Sequence, residues 1–420
     1  MYRSIAALLA AASCASLAQA QDLPSAGSTT PALTLDDAVA AAGGSAPAAD
    51  AARAGIDAAR AARTVAGLRP NPTVQTQVEN IGGTGVYRQF DTSQTTVSLG
   101  IPVELGGKRS ARIAVANAQT DRALLAAAIT QADIRLQVTQ LYIEAVAAKR
   151  RANNAAEQLR IAKDTASAAR VRVQAGRASP IEEQRAGVAQ ANAEAGVERA
   201  MRLADAARTN LARRIARPVS EPLNATWLES LPAKGYGPLE PINATGTLAL
   251  AAADADLAVA DAGVRLARSQ RVPDLNVGPG VRHIAPGDVA FVVTFSMPIP
   301  VFNAGSAAVS QASAQRVQAE AQKRMTALDM EQAITDAQAE EANAATTART
   351  ANGPALAAAR EAARIARIGY REGKFGQLDL LDAERTLADT RIAAIDALAA
   401  YQNAKARLER LTAPAPEQGN

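Results

Sequence analysis

The chain has 420 residues and a formal net charge of +4, with 45 basic and 41 acidic residues, and 3% of its residues are aromatic. Mixed charges of both signs are typical of solvated helix faces and argue against a nucleic-acid surface. One cysteine, Cys14, and one histidine, His283, exclude a disulfide framework, a thiolate metal site and a cysteine–histidine catalytic pair. We therefore predict no enzyme, no cofactor and no metal site, and we interpret His283 as incidental.

Residues 1–20 have the features of an export signal. Arg3 supplies a positive charge, residues 5–12 form an apolar run too short to span a bilayer, and Ala18-Gln19-Ala20 is a small-residue cleavage pattern. Cleavage after Ala20 would also remove Cys14. The alternative is a lipid anchor on Cys14, but residues 11–13 lack the leucine that usually precedes such a cysteine. The mature protein is therefore predicted to act outside the cytoplasm.

The mature chain is predicted to begin with helices and continue with two strands. Thr34 or Asp36 is expected to cap a short helix, and an alanine-rich helix follows over residues 48–66. Strands are predicted at about residues 72–80 and 93–103, because apolar and polar side chains alternate there. The residues on the apolar faces are Val74, Thr76, Val78, Val97, Leu99, Ile101 and Val103.

A very long helix is predicted next, because residues 108–175 contain neither glycine nor proline. Ile129, Leu136 and Ile143 recur at every seventh position, which is the pattern of a coiled-coil seam. At 1.5 Å per residue, such a helix would be roughly 100 Å long. That length is sufficient to reach far across the bacterial periplasm.

The order of elements then repeats after an irregular linker at residues 218–244, which is rich in proline and contains Trp227. Strands are predicted at about residues 273–282 and 289–300. A helix follows from Ser306 and is interrupted at Gly353-Pro354. Residues 414–420 are predicted to form a disordered tail.

Short sequence matches indicate that the two halves are a duplication. Residues 101–107, IPVELGG, return as residues 299–305, IPVFNAG, between a strand and a long helix in each case. We therefore predict two strand–strand–long helix–helix repeats, at residues 21–217 and 245–413. Glycines at the strand-to-helix junctions would let the chain change direction. The junction residues are Pro102, Gly106, Gly107, Pro300 and Gly305.

Four amphipathic strands of about ten residues suit a membrane β-barrel with lipid outside and water inside. Two soluble hairpins packed on helices are the alternative. After the signal there is no stretch of apolar residues long enough for a transmembrane helix. The export signal and the long flanking helices favour the barrel.

The doubled order of elements resembles the outer-membrane factor family, the TolC-like exit ducts of bacterial efflux and type I secretion systems. The resemblance covers essentially the whole mature chain and implies an α+β membrane protein in the outer membrane of a Gram-negative bacterium. It implies a homotrimer whose strands close a twelve-stranded β-barrel in lipid. An α-helical coiled-coil tunnel would continue the barrel into the periplasm.

The most specific part of this resemblance runs from Tyr370 to Asp382. In relatives, a tyrosine, a glycine and two aspartates three residues apart surround the turn between two helices and help to close the periplasmic entrance. The resemblance thus assigns gate roles to Tyr370, Asp379, Asp382 and, in the first repeat, Glu182. Phe375 stands where one relative has a gate arginine, so that ion pair is not expected here. Acidic residues in a first helical turn also favour the helix dipole, which is the simpler explanation.

A narrower resemblance is to the cobalt–zinc–cadmium efflux branch, the CzcC-type proteins. It rests on residues 104–109, ELGGKR, and on the loop at residues 79–85. It implies passive conduction of divalent heavy-metal cations from an inner-membrane pump of the resistance–nodulation–division type, through a periplasmic membrane-fusion adaptor. The turns expected to dock the adaptor contain Gly176, Arg177, Gly373, Lys374 and Phe375.

Two alternatives stay open at this point. The same duct could carry drugs or a secreted polypeptide. A trimeric periplasmic coiled coil without a pore would explain the helices and the alanines, but it would leave the four amphipathic strands unexplained.

Overall fold

The computed structural model describes residues 32–88, 90–232 and 240–416. The predicted signal, Cys14 and residues 417–420 lie outside these ranges. The helices are α1 (Leu35–Ser45), α2 (Pro47–Ala66), α3 (Lys108–Gln174), α4 (Pro180–Arg214), α5 (Leu248–Ser269), α6 (Ser306–Thr350), α7 (Leu356–Arg371) and α8 (Gln377–Leu411). The strands are β1 (Thr73–Glu79), β2 (Gln94–Val103), β3 (Leu275–Ile284) and β4 (Asp288–Ser296). Both predicted strand–strand–long helix–helix orders are present.

Residues with a known preference for helix ends begin the first two helices. Thr34 caps α1, because its hydroxyl accepts a hydrogen bond from Asp37 N–H at 3.1 Å. The Asp37 carboxylate in turn accepts from Thr34 N–H at 3.2 Å, which completes a capping box. Pro47 begins α2, where the missing N–H costs no hydrogen bond. Of the two predicted caps, Thr34 is therefore the one used.

The four strands form one antiparallel sheet in the order β1-β2-β3-β4. Strand β2 connects the two repeats, because it pairs with β1 on one side and with β3 on the other. One face of the sheet is apolar and exposed, and Phe291 on that face is 90% exposed. The opposite face is polar and carries Gln75, Ser98 and Thr294. Within the described chain, β1 and β4 each leave one edge without a partner.

Strand β4 ends earlier than predicted, at Ser296 instead of at about residue 300. The reason lies in β3, which begins at Leu275, and the pairing of the two strands ends with Asn276 opposite Ser296. In this register, residues 298–300 extend past the first residue of β3. The equivalent part of β2 continues to Val103, because β3 lies beside it.

The predicted long helix is confirmed as α3, which has 67 residues without a break. The predicted interruption in the second repeat is also confirmed. Between α6 and α7, residues 351–355 form a π-turn in which Gly353 has φ −99° and ψ −107°, outside the helical region. Pro354 lies within this turn and cannot donate a backbone hydrogen bond. In the described part of the chain, no helix is both long and apolar enough to cross a membrane.

The main core lies about midway along the helices, where α3, α8 and the linker meet. Tyr142 is fully buried, and its hydroxyl donates to the Leu33 carbonyl at 2.6 Å. The ring of Trp227 lies 6.0 Å from that of Tyr142. Gln402 holds the linker from the other side, because its amide donates to the Trp227 carbonyl at 3.1 Å. The only regular element that the described linker residues contain is a 3-10 turn, Thr226–Glu229.

Residues 414 and 415, in the predicted disordered tail, pair with the chain just before α5. Pro414 forms a bridge with Thr247, and Ala415 N–H donates to the Gly246 carbonyl at 2.8 Å. These bonds hold the chain end against the turn that precedes α5. The prediction was wrong for residues 414–416 because it rested on proline and alanine composition and could not include this pairing.

Candidate functional site: helical turns and strand-to-helix junctions

The same backbone motif ends α3 and α7 at their distal turns. Gly176 (φ 69°) and Gly373 (φ 71°) both adopt the left-handed conformation, which glycine reaches without steric cost. Each is flanked by the two reverse hydrogen bonds of a Schellman motif. The bonds are Arg177 N–H to Arg172 O (2.9 Å), Gly176 N–H to Val173 O (3.0 Å), Lys374 N–H to Gly369 O (2.8 Å) and Gly373 N–H to Tyr370 O (3.2 Å). The two turns are thus structural equivalents, and the side chains of Arg177 and Lys374 are exposed on them.

Phe375 folds back over Gly369 at the second turn. A Cβ atom at residue 369 would lie 2.2 Å from the Phe375 ring, so this position requires glycine while the ring stays in place. The ring remains 42% exposed. The turn therefore presents an aromatic side chain and a lysine to the outside of the protomer.

The structure places the predicted gate residues around the first turns of α4 and α8. Asp379 and Asp382 are both exposed on α8. The Asp379 carboxylate accepts a hydrogen bond from Gly376 N–H at 3.0 Å, so it also has the capping role that the simpler explanation gave it. Glu182 lies on α4, and Gln377 donates to its backbone carbonyl at 2.9 Å. That bond joins the two helical turns to each other.

Tyr370 is buried beside these residues instead of exposed with them. Its side chain is 7% exposed, and the guanidinium of Arg172 lies 4.7 Å above its ring. Within the described residues, neither the Tyr370 hydroxyl nor the Glu182 Oε2 atom has a hydrogen-bond partner, although both atoms are buried. No hydrogen bond or ion pair among the described residues joins Tyr370, Glu182, Asp379 and Asp382 to one another.

Sequence reasoning missed a buried ion pair close to the gate residues. Arg367 on α7 holds both carboxylate oxygens of Glu384 on α8, with Nη2 to Oε2 at 2.8 Å. The Glu384 side chain is 6% exposed, whereas that of Arg367 is 42% exposed. The signal in the sequence is that Glu384 interrupts the apolar positions Leu380 and Leu387 of α8, both of which are buried.

A network of charges holds the first strand-to-helix junction. Glu104 forms a bidentate ion pair with Arg112, and Lys108 Nζ lies 2.7 Å from the Asp274 carboxylate. Hydrogen bonding from Arg112 lowers the pKa of Glu104 below its ordinary value. Arg109 donates to the Gly67 carbonyl at 2.6 Å, which joins α3 to the end of α2. The charged side chains of residues 104–109 thus connect the strands to the helices at this junction.

Gly106 makes the close approach at this junction possible. It has φ 70°, and a Cβ there would lie 2.7 Å from the Val272 Cβ. The second junction uses Gly305 (φ 73°) in the same way, and Arg271 donates to the Ala304 carbonyl at 3.2 Å. Of the predicted prolines, Pro102 lies in β2 and Pro300 lies in the segment after β4.

No metal centre is formed by the described residues, since they contain no group of three or more histidine, aspartate or glutamate side chains placed to hold an ion. The site therefore consists of turns, exposed carboxylates and structural ion pairs.

Comparison with known proteins decides the family. A family model described as outer membrane efflux protein matches residues 39–217 and 246–413, which is most of the chain. The chain belongs to the outer membrane efflux protein family. The localisation to the outer membrane and the role in efflux that were expected from the resemblance are thereby confirmed, and a coiled coil without a pore is no longer a competing explanation.

The relatives of this efflux protein include metal-resistance proteins. It is 30% identical over 381 residues to the cobalt-zinc-cadmium resistance protein CzcC of Cupriavidus metallidurans, covering 90% of each chain. It is 31% identical over 280 residues to the nickel and cobalt resistance protein CnrC of the same organism, covering 66% of this chain and 64% of the relative. The resemblance to the CzcC-type branch is confirmed.

Solved structures support the fold. The outer-membrane channel OprN superposes with a TM-score of 0.72 at 20% identity, covering 91% of this chain and 90% of that one. CusC superposes with a TM-score of 0.71 at 17% identity, covering 91% and 92%. The duplicated architecture of this efflux protein is therefore that of outer-membrane channels.

Proposed function

We propose that three copies of this chain form an outer-membrane exit duct, with the four strands of each copy closing a twelve-stranded barrel. The observation that supports this most directly is the sheet. Its apolar face is exposed, its other face is polar, and both edge strands are unpaired within the described chain. Closure would remove both edges, put the apolar face in lipid and the polar face in water. The long helices that start at the strand-to-helix junctions would continue the wall into the periplasm.

The cargo that we propose is divalent heavy-metal cations. Three curated relatives are named for resistance to cobalt, zinc, cadmium or nickel. Cations would be supplied by an inner-membrane pump of the resistance–nodulation–division type and a periplasmic adaptor. The turns at Gly176–Arg177 and Gly373–Phe375 lie at the distal ends of the helices, and they are the surfaces that we assign to adaptor docking.

The gate that we propose uses the exposed carboxylates of α8. Threefold symmetry would bring Asp379 and Asp382 of all copies close to one axis, and a ring of about six carboxylates attracts cations and repels anions. Tyr370 and Glu182 each have a buried polar atom that lacks a partner in the described protomer, so we assign these atoms hydrogen-bond partners in the closed gate of the trimer. Opening would then change the surroundings of these two atoms.

The cargo is tested by measuring cell-associated zinc, cobalt, cadmium, nickel and copper in a strain that lacks this protein and other ducts. Raised content of one or more metals, restored by complementation, is the expected result. Unchanged content of every metal, with the complemented strain identical to the deletion strain, would contradict metal efflux.

The gate is tested in planar bilayers with the Asp379→Ala, Asp382→Ala double variant. Removal of the carboxylates is expected to raise single-channel conductance and to reduce selectivity for cations. Asp389→Ala, an exposed change farther along α8, is the matched control. Equal conductance in the double variant, the control and the wild-type protein would contradict a gate at these residues.

A further inference from the structure

A short apolar segment after β4 belongs to no strand of the protomer. Residues 297–302 have no regular structure, and Ile299, Val301 and Phe302 are 80%, 73% and 102% exposed. Their equivalents in the first repeat are the end of β2 and the residue that follows it, which have β3 beside them. The segment therefore has the sequence of a strand end but lacks a neighbour.

The internal duplication shows which residues correspond. Gln75 lies opposite Ser98 in the first repeat, and Asn276 lies opposite Ser296 in the second. Ser98 and Ser296 also occupy the same position before the repeated Ile-Pro-Val sequence. Gln75 thus corresponds to Asn276, and the register between β2 and β3 can be transferred to the junction between β4 and the β1 strand of another copy.

The transferred register is specific. Within the protomer, the pairs between β2 and β3 include Ile101 opposite Val277, Pro102 opposite Asn276 and Val103 opposite Leu275. The equivalent pairs between two copies are Ile299 opposite Thr76, Pro300 opposite Gln75 and Val301 opposite Val74. Val301 and Val74 would share the apolar outer face, whereas a slip of one residue would turn Val301 to the polar inner face.

The direction of the backbone groups supports the same register. Ala285 N–H donates to the Ser93 carbonyl at 2.9 Å across β2 and β3, so the odd-numbered residues of β2 turn their backbone groups toward β3. By equivalence, Ile299 turns its groups away from β3, whereas Pro298 and Pro300 turn toward it. Both prolines lie past the end of β3, where no donor is needed.

The free edge of β1 has the matching pattern. Its odd-numbered residues, such as Gln75, face β2, so Val74 and Thr76 direct their N–H and C=O groups outward. These are the residues that the transferred register places opposite Val301 and Ile299. In the transferred register, the outward N–H and C=O groups of β1 therefore face those of Ile299 and Val301.

We propose that residues 297–302 become the last part of β4 when a second copy of this chain docks, pairing antiparallel to its β1 with Ile299 opposite Thr76. This inference rests on the proposed trimer and specifies its strand register. In the single chain, Val301 N–H donates to the Ile299 carbonyl at 2.9 Å, which closes a three-residue turn. Docking opens this turn, because both groups then bond to the neighbouring copy.

Paired cysteines test the register in the full chain. Directly opposite residues in an antiparallel pair have Cα atoms about 4.5–5.5 Å apart, within the range that a disulfide spans. Cys14 lies in the predicted signal, and the rest of the chain contains no other cysteine. The Thr76→Cys, Ile299→Cys variant is expected to give covalent dimers and trimers on a non-reducing gel, and reduction should return them to monomers.

A cysteine pair shifted by two residues and the single-cysteine variants serve as controls. Val78→Cys with Ile299→Cys is expected to give no covalent product, because diagonal neighbours are about 7–8 Å apart. Each single-cysteine variant should stay monomeric on the gel. A trimer in detergent whose shifted pair alone becomes linked would overturn the register while leaving the duct intact. A monomer without channel conductance would overturn the proposed function together with this inference.

Discussion

Breaking the ion pair between Arg367 and Glu384 should lower the local stability of the α7–α8 packing by an amount that can be calculated. Arg367→Met removes the partner of a carboxylate that is 6% exposed. Removing one partner of a fully buried pair costs about 3–5 kcal/mol, because the other charge stays buried and unpaired. Since the Arg367 side chain is 42% exposed, water can reach the carboxylate, and we expect a smaller cost of about 1–3 kcal/mol.

Amide hydrogen exchange measures this cost locally, where α7 packs on α8. A loss of about 1–3 kcal/mol in the free energy of local opening accelerates exchange by about 5- to 150-fold. Arg364→Met is the matched control on the same helix, because Arg364 pairs with Glu361 at the surface, with side chains 59% and 54% exposed. Exposed pairs contribute at most about 1 kcal/mol, so the control should change exchange by less than about 5-fold.

A second variant separates the buried charge from lost packing. Glu384→Gln in the Arg367→Met background removes the unpaired charge and is expected to slow exchange again. The reasoning would be refuted if Arg367→Met exchanged as slowly as the Arg364→Met control. It would also be refuted if the added Glu384→Gln change left the rapid exchange unaltered.

Two further predictions concern the first strand-to-helix junction. Gly106→Ala should reduce the yield of SDS-resistant trimer, because the new Cβ would lie 2.7 Å from the Val272 Cβ at a residue with positive φ. Gly187→Ala in α4 is the control, because a Cβ there meets open space and should be tolerated. Equal trimer yields from the two variants would contradict this account. Hydrogen bonding from Arg112 lowers the pKa of Glu104 in the folded protein. The ion pair should therefore stabilise the protein at pH values above the ordinary glutamate pKa, about 4.3. This contribution should be lost as the pH falls through the lowered pKa of folded Glu104. Melting in detergent between about pH 5 and pH 3 should therefore fall more steeply for the wild-type protein than for Glu104→Gln, and parallel curves would contradict the prediction.

Much of the fold was predictable because it depends on local patterns. The absence of glycine and proline between Lys108 and Gln174 predicted α3, and Gly353-Pro354 predicted the break after α6. Alternation of apolar residues located all four strands. The end of β4 was not predictable from its own sequence, since it depends on where β3 begins.

Less of the candidate site than of the fold could be predicted from the sequence. The turn glycines could be located because a left-handed residue at a helix end favours glycine. The burial of Tyr370 could not be predicted, because it depends on Arg172 from the other repeat. The pairing of Glu384 with Arg367 likewise depends on how α7 packs on α8, and a charge on an apolar stripe was its only local signal.

The break at residues 351–355 makes the two repeats unequal in stiffness. Helix α3 is hydrogen-bonded along its full length, so it resists bending at every point. The corresponding helix of the second repeat lacks helical geometry at Gly353 and a donor at Pro354, and bending in it is concentrated there. In the proposed tunnel wall, each protomer would thus contribute the unbroken helix α3 and the interrupted helix formed by α6 and α7. The break lies between the main core and the turn at Gly373, so a bend there would displace α7 relative to α6.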